Sequence, residues 1–208
     1  MDRRTALFSC GSLAAGLATG TAGAAAPAAS ASRWSGHFPN FMLRTQDDEP
    51  VRFYDDLVKG RIVVINFMYV HCADGQCAPA TANLVKVQEL LGERVGRDIF
   101  MYSITLDPEN DTPTILKKYS EVFGVKAGWL FLTGEPREIE VLRRKLGFYD
   151  LDPEVDKDLS THTGMLRFGN DQMSRWASCA TMLRPELVAK YILRVDWPPG
   201  MRRGPASA

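Results

Sequence analysis

The stretch of sequence that decides the fold is Arg61-Ile-Val-Val-Ile-Asn-Phe-Met-Tyr-Val-His-Cys72-Ala-Asp-Gly-Gln-Cys77-Ala-Pro79. Residues 62–69 are almost continuously apolar and rich in β-branched side chains, which predicts a central strand that is buried on both faces. Pro79 suits the first turn of a helix, and the leucine and valine side chains of residues 80–91 recur at helical spacing. Two thiols are therefore expected where a buried strand passes into a helix.

The sequence on both sides of this stretch alternates strand-like and helix-like segments. Further strands are predicted near residues 41–45, 51–54, 99–106, 129–132, 163–168 and 172–176, and further helices near residues 113–123, 135–146 and 184–193. This order predicts an α/β domain with a central, mostly parallel sheet, flanking helices and a β-hairpin at each end. A dithiol that follows the first central strand and opens a helix is the arrangement of the thioredoxin-like fold, which is the fold class that we expect.

Length and charge exclude some functions. The chain has 208 residues, which favours one domain with a leader or a tail. Its 25 basic and 25 acidic residues give zero formal net charge, so no basic field is available to attract nucleic acid. We therefore expect no nucleic-acid partner.

Residues 1–31 have the layout of an export signal. The paired residues Arg3 and Arg4 precede an apolar run rich in alanine and glycine, and small residues follow as cleavage candidates. Paired arginines are also typical of the twin-arginine route. We expect an exported, periplasmic protein with a folded domain over residues 32–197 and a flexible tail over residues 198–208. An uncleaved leader that anchors the chain is the alternative, and it is the only membrane association that we expect.

Cleavage of the leader would leave three cysteines, Cys72, Cys77 and Cys179. An odd number in an oxidising compartment indicates one pair with a leftover thiol, or a metal site. Cu(I) prefers soft thiolates with imidazole as a further ligand, and a helix N-terminus favours the thiolate form. Closely spaced thiols also permit a disulfide. The residues alone leave metal binding, redox work without a metal and a structural disulfide open for the close pair.

Four sequence blocks resemble the Sco (SenC) family of thioredoxin-like copper-binding proteins and together span about residues 37–195. They are Ile-Asn-Phe-Met-Tyr-Val-His-Cys at residues 65–72 followed by Cys77, Ser-Ile-Thr-Leu-Asp-Pro-Glu-Asn-Asp-Thr-Pro at residues 103–113, Leu-Phe-Leu-Thr-Gly at residues 130–134, and the lone His162. The family motif has three residues between its cysteines and a proline directly after each. Here four residues separate the cysteines, and Ala73 follows the first.

The resemblance implies a copper site, Cu(I) or Cu(II), with Cys72, Cys77 and His162 as ligands. It implies an exported metallochaperone that assists copper-site assembly in cytochrome c oxidase, so that the partner is a copper-receiving oxidase subunit or another copper or thiol client. The alternative is a thiol-disulfide oxidoreductase in which Cys72 and Cys77 form the catalytic dithiol. A module that senses redox state without turnover is a third hypothesis.

Other residues with suggestive chemistry receive local roles. We expect His71 to act as a hydrogen-bonding residue beside the dithiol, and Asp107 and Asp111 to form a loop turn and a helix cap. Met165 is predicted in the core. For Cys179 we expect a buried thiol, with a resolving thiol or an intermolecular link as the alternative.

Overall fold

The structure is a computed structural model that describes residue 34 and residues 36–72, 75–162 and 164–198, without the side chains of Ser160 and His162. The predicted leader and nearly all of the predicted tail lie outside the described residues. So do Ala73 and Asp74, which stand between the two cysteines. The domain boundaries predicted above therefore stay predictions.

The described fold consists of strands and helices in the alternating order that the sequence predicts. The strands are β1 (Met42–Thr45), β2 (Pro50–Arg52), β3 (Ile62–Met68), β4 (Ile99–Thr105), β5 (Trp129–Gly134), β6 (Met165–Asn170) and β7 (Arg175–Ala180). The α-helices are α1 (Cys77–Leu91), α2 (Pro113–Val122), α3 (Pro136–Lys145), α4 (Pro153–Asp156) and α5 (Pro185–Leu193). A π-helix covers Phe53–Val58, and 3-10 helices cover Gly92–Arg94 and Leu159–His162. None of the helices among the described residues is both long enough and apolar enough to cross a membrane.

Proline marks where four of the five described α-helices begin, at Pro113, Pro136, Pro153 and Pro185. A proline has no N–H to leave unsatisfied in the first helical turn, and its fixed φ is already close to the helical value. Three of these helices carry a buried apolar stripe, whereas α4 is a single short turn. The sequence therefore places these helix starts by backbone chemistry rather than by side-chain capping alone.

The central sheet is mixed and runs in the order β2-β1-β5-β4-β3-β6-β7. Strands β3, β4 and β5 are parallel, with Ile65 opposite Tyr102 and Tyr102 opposite Leu130. Each hairpin adds an antiparallel pairing of its own and a second one to the neighbouring strand, β1 to β5 and β6 to β3. The α/β, thioredoxin-like class and both hairpins are confirmed. The sheet is not mostly parallel, because the hairpins contribute more strand pairings than the parallel centre does.

Strand β3 lies inside the sheet, and all seven of its residues are buried, as the apolar run predicts. Helices cover both faces of the sheet. On one face, the ring of Tyr119 in α2 contacts Phe131 of β5, and on the other face Phe148, just after α3, contacts Phe67 of β3. Phe67 and Phe131 pair with adjacent residues of β4, so they point to opposite sides of the sheet. Helix α1 packs beside α5.

The second hairpin turns later than the sequence predicts. The sequence predicts strands near residues 163–168 and 172–176 with the turn between them, but Gly169 lies within β6 opposite Trp176, and the turn covers residues 171–174. A Cβ atom on Gly169 would lie 2.3 Å from the Trp176 ring. Glycine is therefore required there for a close cross-strand contact, and the returning strand is shifted to residues 175–180. Likewise, residues 53–54 belong to the π-helix rather than to the second strand.

Candidate metal centre and its polar surroundings

Cys72 and Cys77 lie at the strand-to-helix junction that the sequence predicts. The chain leaves β3 at Met68, continues to Cys72 and enters α1 at Cys77. Gly75 donates its N–H to the carbonyl oxygen of Cys72 over 3.1 Å, and its φ of 69° is in the left-handed region that glycine tolerates. The chain therefore folds back directly after the first cysteine, which is the turn that two sulfur atoms need in order to face a common point.

The two cysteines differ in exposure. Cys77 is 2% exposed, whereas Cys72 is half-buried. Cys77 is also the first residue of α1, where backbone N–H groups that lack helical partners stabilise negative charge such as that of a thiolate. Cys72 is consequently the more accessible thiol, and Cys77 is the protected member of the pair.

Asp111 holds the end of the strand that leads to Cys72. Its Oδ2 atom accepts the N–H of Val70 over 3.0 Å and the hydroxyl of Thr105 over 2.6 Å. The side chain is fully buried, and this burial raises the pKa of the carboxyl although both hydrogen bonds and the charge of His71 favour the ionised form. The role of Asp111 is thus larger than the loop turn or helix cap that the sequence predicts.

Tyr119 lies beside the dithiol, although the sequence pattern signals only a helical position for it. Its hydroxyl and that of Thr81, in α1, are 3.0 Å apart and share a hydrogen bond. Burial raises the pKa of the phenol to about 12; negative charge on Cys77, Cys72 and Asp111 acts in the same direction, and the Thr81 hydrogen bond opposes it. Tyr119 therefore stays a neutral phenol at physiological pH, near enough to both sulfur atoms to respond to their charge.

The backbone of His162 lies at the same edge of the sheet as the chain that delivers Cys72. His162 is the last residue of the second 3-10 helix, and β6 begins three residues later. Leu166 of β6 is antiparallel to β3 and lies opposite Asn66, so β6 starts beside the carboxyl end of β3. The imidazole of His162 is outside the described part of the structure, and its role as a ligand stays a prediction.

Hydrogen bonds join the segment after His162 to α1. The carbonyl oxygen of Gly164 accepts the N–H and the hydroxyl of Thr181 over 3.0 and 3.2 Å. Asn83, on α1, donates its side-chain amide to the carbonyl oxygen of Thr181 over 2.7 Å. Thr181 is fully buried. The helix that begins with the second cysteine and the strand that follows His162 are therefore fixed to the same turn.

The remaining candidate residues have local surroundings. His71 is exposed beside Cys72. Met165 is half-buried rather than fully in the core, and it borders a surface cavity of about 200 Å³ together with Thr161. Cys179 lies on the edge strand β7 opposite Leu166 and is half-buried, which still raises the pKa of its thiol. Asp107 forms the predicted turn, since its carboxylate accepts the side-chain amide of Asn110.

The predicted copper ligands are two thiols and one imidazole. Among the side chains that the structure describes, no group of three or more His, Cys, Asp or Glu residues is arranged to hold a metal ion. The described side chains include Cys72 and Cys77 but not the imidazole of His162. The predicted donor set of two thiolates and one imidazole suits copper and is unlike the oxygen-rich sets that hard cations take.

Several proteins resemble this chain in sequence or structure. It is 32% identical to the SCO1 protein homolog of Bacillus subtilis over 96 residues, which cover 45% of this chain and 47% of that protein. The chain thus spans about half the length of the curated relatives that it matches. The structure of Bradyrhizobium japonicum ScoI with copper bound aligns with a TM-score of 0.57 at 25% identity, covering 74% of this chain and 96% of ScoI. BsSco, described as a member of the Sco family of cytochrome c oxidase assembly proteins with a disulfide switch, shares the fold with a TM-score of 0.59 at 24% identity, covering 74% of this chain and 91% of BsSco.

The sequence profile of one family extends over most of the chain. The SCO1/SenC profile matches residues 31–194, a range that includes Cys72, Cys77 and His162. This match covers the whole described domain up to the end of α5 and agrees with the order of the sequence blocks. The chain belongs to the SCO1/SenC family.

Proposed function

We propose that this protein is an exported copper metallochaperone that holds one copper ion with Cys72, Cys77 and His162. Its client would be a copper-receiving subunit of cytochrome c oxidase. The observation that carries the proposal is the pair of cysteines on a folded-back loop between β3 and α1, in a domain that shares its fold with a copper-bound ScoI. The backbone of His162 at the same edge of the sheet supports it.

The donor set explains a preference for copper. Thiolates are soft ligands that select Cu(I), and imidazole suits both Cu(I) and Cu(II), so one site can follow the metal through a change of oxidation state. The cysteines must lose their protons to bind, and the N-terminus of α1 favours this at Cys77. Tyr119 and Asp111 surround the loop with polar groups that are already hydrogen-bonded, which keeps its two ends fixed.

Ligand exchange would move copper to the client. A client thiolate that approaches the half-buried Cys72 bonds to Cu(I) before the bond from Cys72 breaks, so the ion is never released to water. The departing Cys72 thiolate takes up the proton that the client thiol has lost. Buried Cys77 would leave the ion later. The export signal predicted for residues 1–31 would place this exchange in the periplasm, with the chain anchored only if the leader is uncleaved.

The test is competition for Cu(I) between the reduced protein and a chromophoric chelator. We expect the wild-type chain to bind one ion, and His162→Ala to weaken binding by more than about 100-fold, because loss of a ligand costs more than the loss of an outer-shell partner. The chain contains two other histidines as matched controls. His37→Ala alters a ring that faces the carbonyl oxygen of Lys145, and His71→Ala alters an exposed ring beside Cys72.

Both histidine controls should keep the affinity of the wild type within about threefold, since neither ring belongs to the proposed ligand set. Absence of Cu(I) uptake by the reduced wild-type chain would refute the chaperone proposal. Equal loss of affinity in the three histidine variants would show that the effect is not specific to His162.

A thiol-disulfide oxidoreductase is the second candidate, and the unequal exposure of the two cysteines favours it. The accessible Cys72 thiolate would attack a client disulfide, forming a mixed disulfide and releasing one client thiolate, which takes a proton. Cys77 would then attack the sulfur of Cys72, release the second client thiol and leave a Cys72–Cys77 disulfide. Two electrons pass from the dithiol to the client in this step.

The variant His162→Ala separates the two candidates. A reductase needs only the dithiol, so its rate of disulfide reduction should be unchanged when His162 is replaced, whereas Cys72→Ser should abolish it. The chaperone proposal predicts that both variants lose copper affinity, because Cys72 and His162 are both proposed ligands. Negligible copper uptake by the reduced wild-type chain, combined with reduction of a model disulfide by His162→Ala at the wild-type rate, would assign the protein to the second class.

A further inference from the structure

A charged residue anchors the segment that carries His162. Between Tyr149 and Leu159, all of which the structure describes, every side chain is exposed except that of Asp156, which is only 4% exposed. The apolar side chains of this stretch are exposed, so none of them is buried against the domain as in an ordinary docked loop. Asp156 is therefore the buried anchor of this stretch.

Asp156 is held by two arginines of α3. The Nη1 and Nη2 atoms of Arg143, which is itself 3% exposed, donate to Oδ1 over 2.8 Å and to Oδ2 over 3.0 Å. Arg144 donates to Oδ2 as well. The Oδ1 atom also accepts the backbone N–H of Asp150 over 2.9 Å. One carboxylate consequently fixes two points of the segment, six residues apart, to the end of α3.

The same guanidinium reaches the strand that delivers Cys72. Arg143 Nη1 donates to the carbonyl oxygen of Phe148 over 2.5 Å, and the Phe148 ring packs against Phe67 of β3 with the ring centroids 4.8 Å apart. Phe67 lies five residues before Cys72. An unbroken set of contacts thus runs from β3 through Phe148 and Arg143 to Asp156, six residues before His162.

The chemistry of this pair favours precision of placement over stability. Hydrogen bonds from Arg143 hold the pKa of Asp156 well below its usual range, and burial opposes them. A buried ion pair contributes little more to stability than packed apolar residues of the same volume, because both charges must be desolvated. A guanidinium that binds a carboxylate through two parallel hydrogen bonds, however, fixes distance and angle together, which an apolar contact does not.

We propose that Arg143 and Asp156 are positioning residues for the copper site. Their ion pair sets the position of the 3-10 helix Leu159–His162 relative to β3, and through it the reach of the third ligand. This inference rests on the proposed copper site, because it gives the pair a function only if His162 is a ligand. Neither Arg143 nor Asp156 is proposed to contact the metal itself.

The test compares Asp156→Asn with the wild type in the full chain, with Cu(I) as the probe in chelator competition. We expect affinity to fall by about tenfold, as for other residues that orient a metal ligand. The Cu(II) form should also lose or broaden the nitrogen hyperfine coupling in its electron paramagnetic resonance spectrum. A purely structural role for the pair would leave that imidazole signature as it is in the folded wild type.

Two control variants share parts of this chemistry. Glu140→Gln removes a carboxylate that binds the same two arginines, but Glu140 lies on α3 and makes no link to the segment before His162. Asp98→Asn weakens a partly buried pair, with Arg94, beyond the C-terminal end of α1 and about 20 Å along that helix from Cys77. Both should bind copper with wild-type affinity and leave the nitrogen hyperfine coupling unchanged.

If Asp156→Asn does not fold, Arg144→Gln tests the inference instead. Arg144 is half-exposed, and removing its guanidinium leaves the contacts of Arg143 in place. It should lose about threefold in affinity and broaden the same signal. Suppose that His162→Ala lowers copper affinity as expected. Wild-type affinity and an unchanged spectrum in the folded Asp156→Asn variant, or in Arg144→Gln, would then overturn the inference. Wild-type affinity in His162→Ala would instead remove the proposed site, and the inference with it.

Discussion

At the scale of single residues, the buried carboxylate of Asp111 supports the loop that carries the two cysteines by accepting hydrogen bonds. Asp111 receives donors from both sides of the site, the N–H of Val70 after β3 and the hydroxyl of Thr105 at the end of β4. Parallel strands end at the same edge of a sheet, so one side chain can bind both ends. The position of Cys72 therefore depends on a residue 39 positions away in sequence.

Replacing Asp111 tests this support. In Asp111→Ala the N–H of Val70 and the hydroxyl of Thr105 lose their acceptor, and we expect the free energy of unfolding to fall by about 1–3 kcal/mol. Asp111→Asn keeps one oxygen acceptor and should cost less. Denaturant titration of the reduced proteins measures both, and an alanine variant as stable as the wild type would contradict the assignment.

Cys179 is expected to take no part in the site. It lies on the edge strand β7, and burial raises the pKa of its thiol, which makes it a poor thiolate ligand. Cys179→Ala should therefore bind one copper ion with wild-type affinity, while Cys77→Ser should lose at least about 100-fold. Copper titration of the three proteins checks this, and weaker binding by the alanine variant would show that the third thiol participates.

At the scale of elements, the two helices that flank the dithiol are tied together by one hydrogen bond. The hydroxyls of Tyr119 in α2 and Thr81 in α1 meet one turn after Cys77. Burial holds the phenol in its neutral form, with a pKa raised to about 12. Because α1 carries the second cysteine at its first residue, this contact fixes the orientation of the helix at the site.

Removing either hydroxyl should weaken the contact between the helices. We expect Tyr119→Phe and Thr81→Val each to lower the free energy of unfolding by about 1 kcal/mol, and the double variant to cost less than the sum, because the shared bond is lost only once. Tyr191→Phe, on α5, is a control that should change stability by less than about 0.5 kcal/mol. Additive losses in the double variant would exclude the coupling.

Strands, helices and the cysteines can be predicted from the sequence, whereas contacts between distant segments cannot. β3 and α1 follow from an apolar run and a helical repeat, because burial on both faces of a strand and on one side of a helix is written in local periodicity. The cysteines are recognisable by their chemistry. The roles of Asp111, Tyr119 and Asp156 cannot be recognised in the sequence. They come from contacts between distant segments, for which neither spacing nor composition carries a signal. The later turn of the second hairpin was hidden for a similar reason, since Gly169 is needed by a ring on the neighbouring strand.

At the scale of the whole molecule, the domain brings three distant segments to one edge of its sheet. The strand before Cys72, the helix after Cys77 and the backbone of His162 meet there because β3 lies between β4 and β6. The Arg143–Asp156 pair joins α3 to the segment before His162. The free energy of unfolding of the domain should consequently depend on whether Asp156 is protonated.

Acid should reveal this contribution. The pKa of Asp156 is lowered from its ordinary value of 3.8 in the folded state, so below about pH 5 the unfolded chain binds the proton more readily and stability rises with pH. The contribution is fully present above the ordinary value and is lost as pH falls toward the folded value. Between about pH 5 and pH 2, Asp156→Asn should show a shallower loss of unfolding free energy than the wild type. Parallel curves for the two proteins would contradict the depressed pKa.

Two sulfur atoms and one imidazole nitrogen are proposed to bind the same copper ion, and copper-edge X-ray absorption of the reduced protein loaded with one equivalent of Cu(I) identifies these ligands. We expect a first shell of two sulfur scatterers and one nitrogen scatterer with the outer-shell pattern of an imidazole. That pattern should disappear in His162→Ala and persist in His37→Ala. A first shell without sulfur, or an imidazole pattern that survives in His162→Ala, would contradict the account.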